Sequence, residues 1–268
     1  MSSHGNKPYA IVTGATDGIG RGLAFELARN NFNVVIHGRN PEKLHNVQQE
    51  IINLYPTISV QIAIVDAAKN PYSDAIINVV KELHVTILIN CLGILGDGGF
   101  KPFENDTDDS IQAMMNANTL FPTSLTRQLL PQLRRAVPSL ILNLSSGAAI
   151  TYPPFLSTYA GSKAYNLTFS HALHNEMTYL KTNVHVLAAL VGTVNSAANK
   201  APVSFFCPSS MQYAKTLLER VDQRGPVITG NWQHGLQMAF FKFIPHWIVD
   251  YLMIRVTHNA SIEKNKDK

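Results

Sequence analysis

Tyr9-Ala-Ile-Val-Thr13-Gly14-Ala15-Thr16-Asp17-Gly18-Ile19-Gly20 is the stretch that decides the fold. Its first five residues form a short, mostly apolar run, and the glycines after Thr13 end it before a helical pattern that extends from Ile19 to Arg29. A short run of that kind, closed by turn residues, reads as a buried strand, and the longer 3.6-period pattern after it reads as a helix. Glycines between the two let a backbone approach a pyrophosphate. The helix N-terminus adds free N–H groups and the positive end of its dipole. A tight turn alone would also use these glycines; the strand before them and the helix after them favour the phosphate reading.

The same alternation continues outward from this turn. Strand-like runs recur at Val34–His37, Val60–Val65, Val85–Ile89, Leu140–Leu144, Val184–Ala188 and Val227–Thr229. Most are continuously apolar, as a sheet covered on both faces requires. Between them lie helical patterns at 41–54, 75–83, 110–133, 158–180 and 210–221, with Pro41 suited to a first helical turn and Ser209-Ser210 to a cap. The expectation is an α/β fold: one domain over 1–268, a doubly wound, seven-stranded parallel sheet, Rossmann-like, with helices on both faces.

Composition narrows the function. The chain has 268 residues, 46% hydrophobic but only 15% charged, against about 25% charged in an ordinary soluble domain. Disorder is excluded by the apolar content. Two cysteines, Cys91 and Cys207, make no disulfide framework, and a scattered net charge of +4 argues against a nucleic-acid partner. No metal site is expected. The missing charge has a location: residues 136–162 and 182–199 contain no Asp, Glu, Lys or Arg. Those gaps hold the fifth and sixth strands and the loops that follow them.

The second strand ends at His37-Gly38-Arg39-Asn40. Dinucleotides with a free 2′-hydroxyl are usually held by an acid about 20 residues after the glycine turn. Here that place is Gly38, and Arg39 beside it suits a 2′-phosphate. NADP(H) is therefore expected over NAD(H). Further on, Tyr159-Ala-Gly-Ser-Lys163 places a phenol and an ammonium on one helical face. The nearby charge is expected to lower the tyrosine pKa, giving a proton donor to a carbonyl or a base toward an alcohol. Ser146 stands just past the fifth strand, at the sheet edge where ligands bind in open parallel folds.

These motifs together resemble the short-chain dehydrogenase/reductase family over nearly the whole chain. Thr13 to Gly20 is similar to its cofactor turn, Asp66 to its adenine-contacting acid, and Asn90-Cys-Leu-Gly93 to its Asn-Asn-Ala-Gly motif. Val191-Gly192-Thr-Val194-Asn-Ser196 resembles its Pro-Gly-x-Val-x-Thr, with the proline lost, which would loosen the turn over the nicotinamide. The resemblance implies a tetrad of Asn118, Ser146, Tyr159 and Lys163, with Tyr159 donating the proton and Ser146 orienting the carbonyl. Lys163 would bind the nicotinamide ribose, and Asn118 would hold a relaying water. Cofactor contacts are implied for Gly14, Thr16, Asp17, Gly18, Ile19, Gly20, Arg39, Asp66, Asn90, Gly93, Tyr159, Lys163, Gly192, Val194 and Ser196.

Within the family, the chain resembles the branch of very-long-chain 3-oxoacyl-CoA reductases and 17β-hydroxysteroid dehydrogenases, which implies a lipid-type carbonyl substrate. Ile150, Tyr152–Phe155 and Val203–Phe206 are expected at its mouth, with Lys200 and Lys215 available to a CoA phosphate. The N-terminus carries no apolar signal, so membrane attachment would come from the apolar segment from about 232 to 256. Its aromatic residues suit a membrane interface, and packing on the domain is the alternative. Lysines 264, 266 and 268 resemble a dilysine retrieval signal, implying the cytosolic face of the endoplasmic reticulum membrane; a solvated tail is the alternative. A homodimer through the 110–133 and 158–180 helices is implied. A soluble reductase of small carbonyls and a non-catalytic NADP(H)-binding scaffold remain the competing functions.

Overall fold

The computed structural model describes residues 7–96, 101–196, 199–223 and 225–266, without the side chains of 242 and 259–266. The lysines read as a retrieval signal thus lie outside the described side chains. In chain order the elements are β1 (Tyr9–Thr13), α1 (Gly18–Arg29), β2 (Asn33–Gly38), α2 (Pro41–Leu54), β3 (Val60–Ile64), α3 (Asp74–Val80) and β4 (Val85–Asn90). There follow α4 (Asp108–Met115), α5 (Phe121–Arg135), β5 (Ser139–Ser146), α6 (Ala148–Thr151) and α7 (Ser157–Tyr179). The series ends with β6 (Val184–Val191), α8 (Ser210–Leu218), β7 (Val227–Ile228), α9 (Trp232–Phe243) and α10 (His246–Lys266).

Seven strands form one sheet in the order β3-β2-β1-β4-β5-β6-β7, and every pairing is parallel. The order reverses direction between β1 and β4, so a crevice opens beyond their C-terminal ends, the place where such sheets bind ligands. Two apolar clusters cover the faces. One packs Leu23, Leu27, Leu44 and Tyr213 on Val12 and Ile36; the other packs Phe121, Leu125, Leu129 and Met177 on Ile11, Leu88 and Ile141. Burial on both faces is why the strands read as unbroken apolar runs. Local signals behave as their chemistry dictates: Asn40 caps α2 by accepting from the Lys43 amide at 2.9 Å, and Ser209 caps α8 through the Gln212 amide at 3.3 Å.

Some expected helices differ. The helix read over 110–133 is divided by a wide π turn at Asn116–Leu120. Pro122 supplies a reason, since it has no N–H to donate to the Asn118 carbonyl four residues back. That carbonyl instead accepts from Asn166 Nδ2 at 2.9 Å. Asn118 lies fully buried in this wider turn, and α4 and α5 remain helical on either side. The helix expected over 75–83 is also shorter, ending at Val80.

Candidate active site

At the glycine turn, Gly14 and Gly18 have φ of +68° and +55°, a conformation that disfavours other residues. A Cβ on Gly20 would lie 2.2 Å from the Gly14 carbonyl oxygen, so the first turn of α1 and the loop fit together only without one. Asp17 Oδ1 accepts from the Gly18 amide at 2.6 Å and caps α1. Thr13 ties the turn to the end of β4: its hydroxyl donates to the Ile89 carbonyl at 3.4 Å and accepts from the Cys91 and Leu92 amides at 3.0 and 3.1 Å.

The other expected cofactor residues arrange around this cradle. The Thr16 methyl lies 2.9 Å from where a Gly38 Cβ would be, and Arg39 next to it is exposed. Asp66, half-buried beyond β3, accepts from the Ala68 amide at 3.2 Å. Ser196 comes to the glycine turn from the far side, its Cβ 3.3 Å from the position of a Gly18 Cβ. Ile19 and Gly192 are half-buried, and Val194 is buried behind them. The left-handed glycines, the exposed helix terminus and the surrounding ring of side chains fit a dinucleotide pyrophosphate. Asn90 is placed differently. Its side chain is buried and donates to Thr126 Oγ1 at 3.1 Å and Asn143 Oδ1 at 2.7 Å, so it ties β4 to β5 and α5 rather than facing the crevice.

The four residues of the expected tetrad converge beyond β4 and β5. Ser146 ends β5, and Tyr159 and Lys163 occupy the first two turns of α7. Ser146 lies close enough to the Tyr159 phenol to act on its acidity. Lys163 is buried, with Nζ donating to the Leu144 carbonyl at 3.1 Å and lying 5.8 Å from the Tyr159 ring centroid. Gly93 makes this possible, because a Cβ there would come 2.9 Å from Nζ. Ser145 Oγ donates to the Lys163 carbonyl at 2.7 Å and fixes α7 to the strand. Asn118 is fully buried; its Oδ1 accepts from the Ile94 amide at 2.8 Å, and its Nδ2 donates to Ile94 O and Ser162 Oγ at 2.9 and 3.1 Å.

Electrostatics here reverse one expectation. Burial raises the Tyr159 pKa, opposed by nearby Ser146. The expected lowering by Lys163 does not dominate, because spacing along a helix brings two groups together but does not keep them in water. Burial also brings Lys163 down to about 8, with Cys91 opposing, and pushes the Cys91 thiol up to about 12.

A small cleft of mixed character opens beside Tyr159, lined by Leu95, Phe103, Met114, Phe155 and Leu156 together with Lys101, Asp106, Ser157 and Thr158. Lys101 pairs with Asp106 at 3.0 Å on its wall. Of the expected mouth, Phe155 lines this cleft, while Val203, Phe205 and Phe206 are exposed. Lys101 is the cation the cleft presents; Lys215 lies within 4.0 Å of Glu219 on α8. Sequence reasoning missed Leu95, Lys101, Phe103 and Met114, which come from the loop after β4 and from α4. Beyond the cleft, α9 and α10 expose Trp232, Leu236, Phe240, Phe243, Trp247 and Tyr251. Phe205 packs edge-on to Trp232 at 5.3 Å and to Phe206 at 4.9 Å. Among the described residues no helix is long and apolar enough to cross a membrane.

A doubly wound parallel sheet, a glycine cradle at its first helix and a half-buried tyrosine over a buried lysine at the same edge define an oxidoreductase of the nicotinamide-dinucleotide class. The sequence model of the short-chain dehydrogenases matches residues 8–204, and the chain belongs to that family. It is 31% identical over 96% of its length to a Caenorhabditis elegans protein provisionally named steroid dehydrogenase 4, covering 98% of it. It is 30% identical, over 96% of its length and 83% of the relative, to the very-long-chain 3-oxoacyl-CoA reductase let-767 of the same species. A solved 7β-hydroxysteroid dehydrogenase superposes with a TM-score of 0.81 at 18% identity, over 92% of this chain and 96% of that one, and shares the fold.

Proposed function

We propose that the chain is an NADPH-dependent reductase of a lipid-type carbonyl, a 3-oxoacyl-CoA or a 17-ketosteroid, converting it to the alcohol. The observation that carries this reading is the convergence of Ser146 and Lys163 on Tyr159, beside a cleft edged by Leu95, Phe103, Met114 and Phe155. Gly14, Thr16, Asp17, Gly18, Ile19 and Gly20 would hold the dinucleotide's pyrophosphate end, Asp66 its adenine, and Gly93, Gly192, Val194 and Ser196 its nicotinamide end. Exposed Arg39, with no carboxylate at Gly38, favours a 2′-phosphate. When bound, the cofactor supplies the hydride.

The protein's own groups manage the proton. Tyr159 has a raised pKa, so it is a neutral phenol at physiological pH and can donate to a carbonyl oxygen. The Ser146 hydroxyl, beside the phenol, would direct that oxygen to the donor. Lys163, titrating near 8, is mostly charged at neutral pH and stabilises the tyrosinate left behind. Asn118 has both ends of its amide committed to Ile94 and Ser162. A proton relay at this residue would therefore run from its main-chain carbonyl, which keeps a second lone pair beside Asn166. The charge-free stretch 136–162 around Ser146 and Tyr159 makes the Lys163 charge count for more.

The exposed aromatic face of α9 and α10 supports seating on a membrane surface, with the cleft near the lipid that supplies its substrate. We place this at the cytosolic face of the endoplasmic reticulum. A dimer through α5 and α7, where Tyr165 is exposed, belongs to the same reading. The test is oxidation of NADPH and NADH by the purified chain with a long-chain 3-oxoacyl-CoA, a 17-ketosteroid and a small aromatic ketone. Turnover of either lipid carbonyl with NADPH preferred supports the proposal. NADPH binding without turnover of any carbonyl would instead support the scaffold function.

A further inference from the structure

The inner face of α9 carries Asn231 at its cap, His234 and Met238, and each meets a part of the fold that frames the site. Asn231 Oδ1 accepts from the His234 amide at 3.1 Å and starts the helix. The Met238 Cε lies 2.7 Å from where a Cβ on Gly147 would be, immediately after Ser146. His234 is fully buried. Its Nδ1 accepts from the Gly192 amide at 3.3 Å, and its Nε2–H donates to the Phe206 carbonyl at 3.1 Å. The imidazole also fits so closely on Gly192 that a Cβ there would come within 2.7 Å of it, and it rests on the Tyr213 ring with centroids 5.5 Å apart.

We propose that His234 is a positioning residue, a clasp that holds the turn at Gly192 and the loop at Phe206 in register with α9. This rests on the reading of Gly192 as part of the nicotinamide turn. It also accounts for a departure in the sequence. Where the family resemblance leads one to expect a proline at 191, this chain has valine. Val191 is held by its carbonyl, which accepts from the Gly147 amide at 2.7 Å, and the next residue is held by the imidazole. A ring-fixed φ is replaced by hydrogen bonds supplied from another element. The assignment requires neutral imidazole, because a protonated Nδ1 has no lone pair for the Gly192 amide, and burial lowers the pKa of His234. The outer face of α9 carries the exposed apolar residues, so the clasp joins that surface to the site.

Three measurements on the full chain test this. His234→Phe retains a buried ring but leaves the Gly192 N–H and the Phe206 C=O unpaired; His234→Gln restores a donor and an acceptor. Hydrogen exchange in the cofactor-free protein should show a protected Gly192 amide in the wild type and faster exchange through 191–196 in His234→Phe. NADPH binding, read by nucleotide fluorescence, should weaken about tenfold in His234→Phe, the order expected for losing one or two buried hydrogen bonds. The fall in kcat should exceed the rise in carbonyl KM, and His234→Gln should recover part of each effect. A lowered melting temperature with unchanged NADPH binding and unchanged kcat per folded molecule would overturn the inference. So would open-chain exchange of Gly192 in the wild type, however the variants fold. If the wild type binds no NADPH, the functional reading fails while the exchange result still decides the clasp.

Discussion

Replacing Lys163 with methionine should inactivate the enzyme and stabilise it near neutral pH. Lys163 titrates near 8 in the folded protein against an ordinary 10.5. At about 1.4 kcal/mol per pKa unit, holding it charged in the fold at pH 7 costs on the order of 3 kcal/mol. Methionine removes that charge and fills similar space, but it leaves the Leu144 carbonyl, now bonded to Nζ, unpaired at about 1–2 kcal/mol. The net expectation at pH 7 is a variant more stable by about 1–2 kcal/mol, or about 2–4 °C in Tm for each kcal/mol in a chain of this size. The sign must then change with pH. Between the folded value near 8 and the unfolded value of 10.5, the unfolded wild type binds more protons than the folded one. Wild-type stability therefore rises through that window, and methionine gains nothing from it. Urea unfolding of both proteins at pH 7, 8, 9 and 10 should show the variant's advantage shrinking and reversing. A stability difference that stays constant over this range would refute the burial argument for Lys163.

Other outcomes follow from single contacts. Gly20→Ala brings a methyl 2.2 Å from a backbone oxygen, so it should cost about 1–3 kcal/mol in a melt and abolish dinucleotide binding measured by fluorescence. Arg39→Ala should erode the preference for NADPH over NADH by about tenfold, read as the ratio of kcat/KM for the two cofactors, as befits loss of one charge-assisted contact. For reduction, kcat/KM should fall as pH rises through about 8, where free-enzyme Lys163 loses its proton; a flat profile from pH 7 to 9.5 counts against its role. Phe243→Glu with Trp247→Glu, both on the exposed face, should release the protein from sedimenting liposomes without changing turnover of a dispersed substrate.

The sheet was legible because its information is local. Each strand is a short apolar run, the first βα turn carries its glycines, and the helix boundaries at Pro41 and Ser209 follow from single residues. Tyr159 and Lys163 were legible for the same reason, since helical spacing alone sets them on one face. What escaped depends on distance and depth. His234 meets Gly192 across 42 positions, and nothing near a lone histidine in an apolar segment points to that partner. The π turn had a visible cause in Pro122, but the displaced carbonyl's new donor, Asn166, lies 48 residues on. Asn90 sat in the right motif and turned inward, because Asn143 in the neighbouring strand offers a buried partner. Spacing shows the charge beside Tyr159 and hides the loss of water that raises its pKa.

The most direct test of the account compares wild type with Tyr159→Phe, following NADPH consumption with a long-chain 3-oxoacyl-CoA or a 17-ketosteroid while measuring NADPH binding to each. The account predicts steady turnover in the wild type, no measurable turnover in the variant, and NADPH affinity within about twofold between them, since removal of one hydroxyl proton donor spares the glycine cradle. A phenylalanine variant that retains a substantial share of wild-type turnover would contradict it.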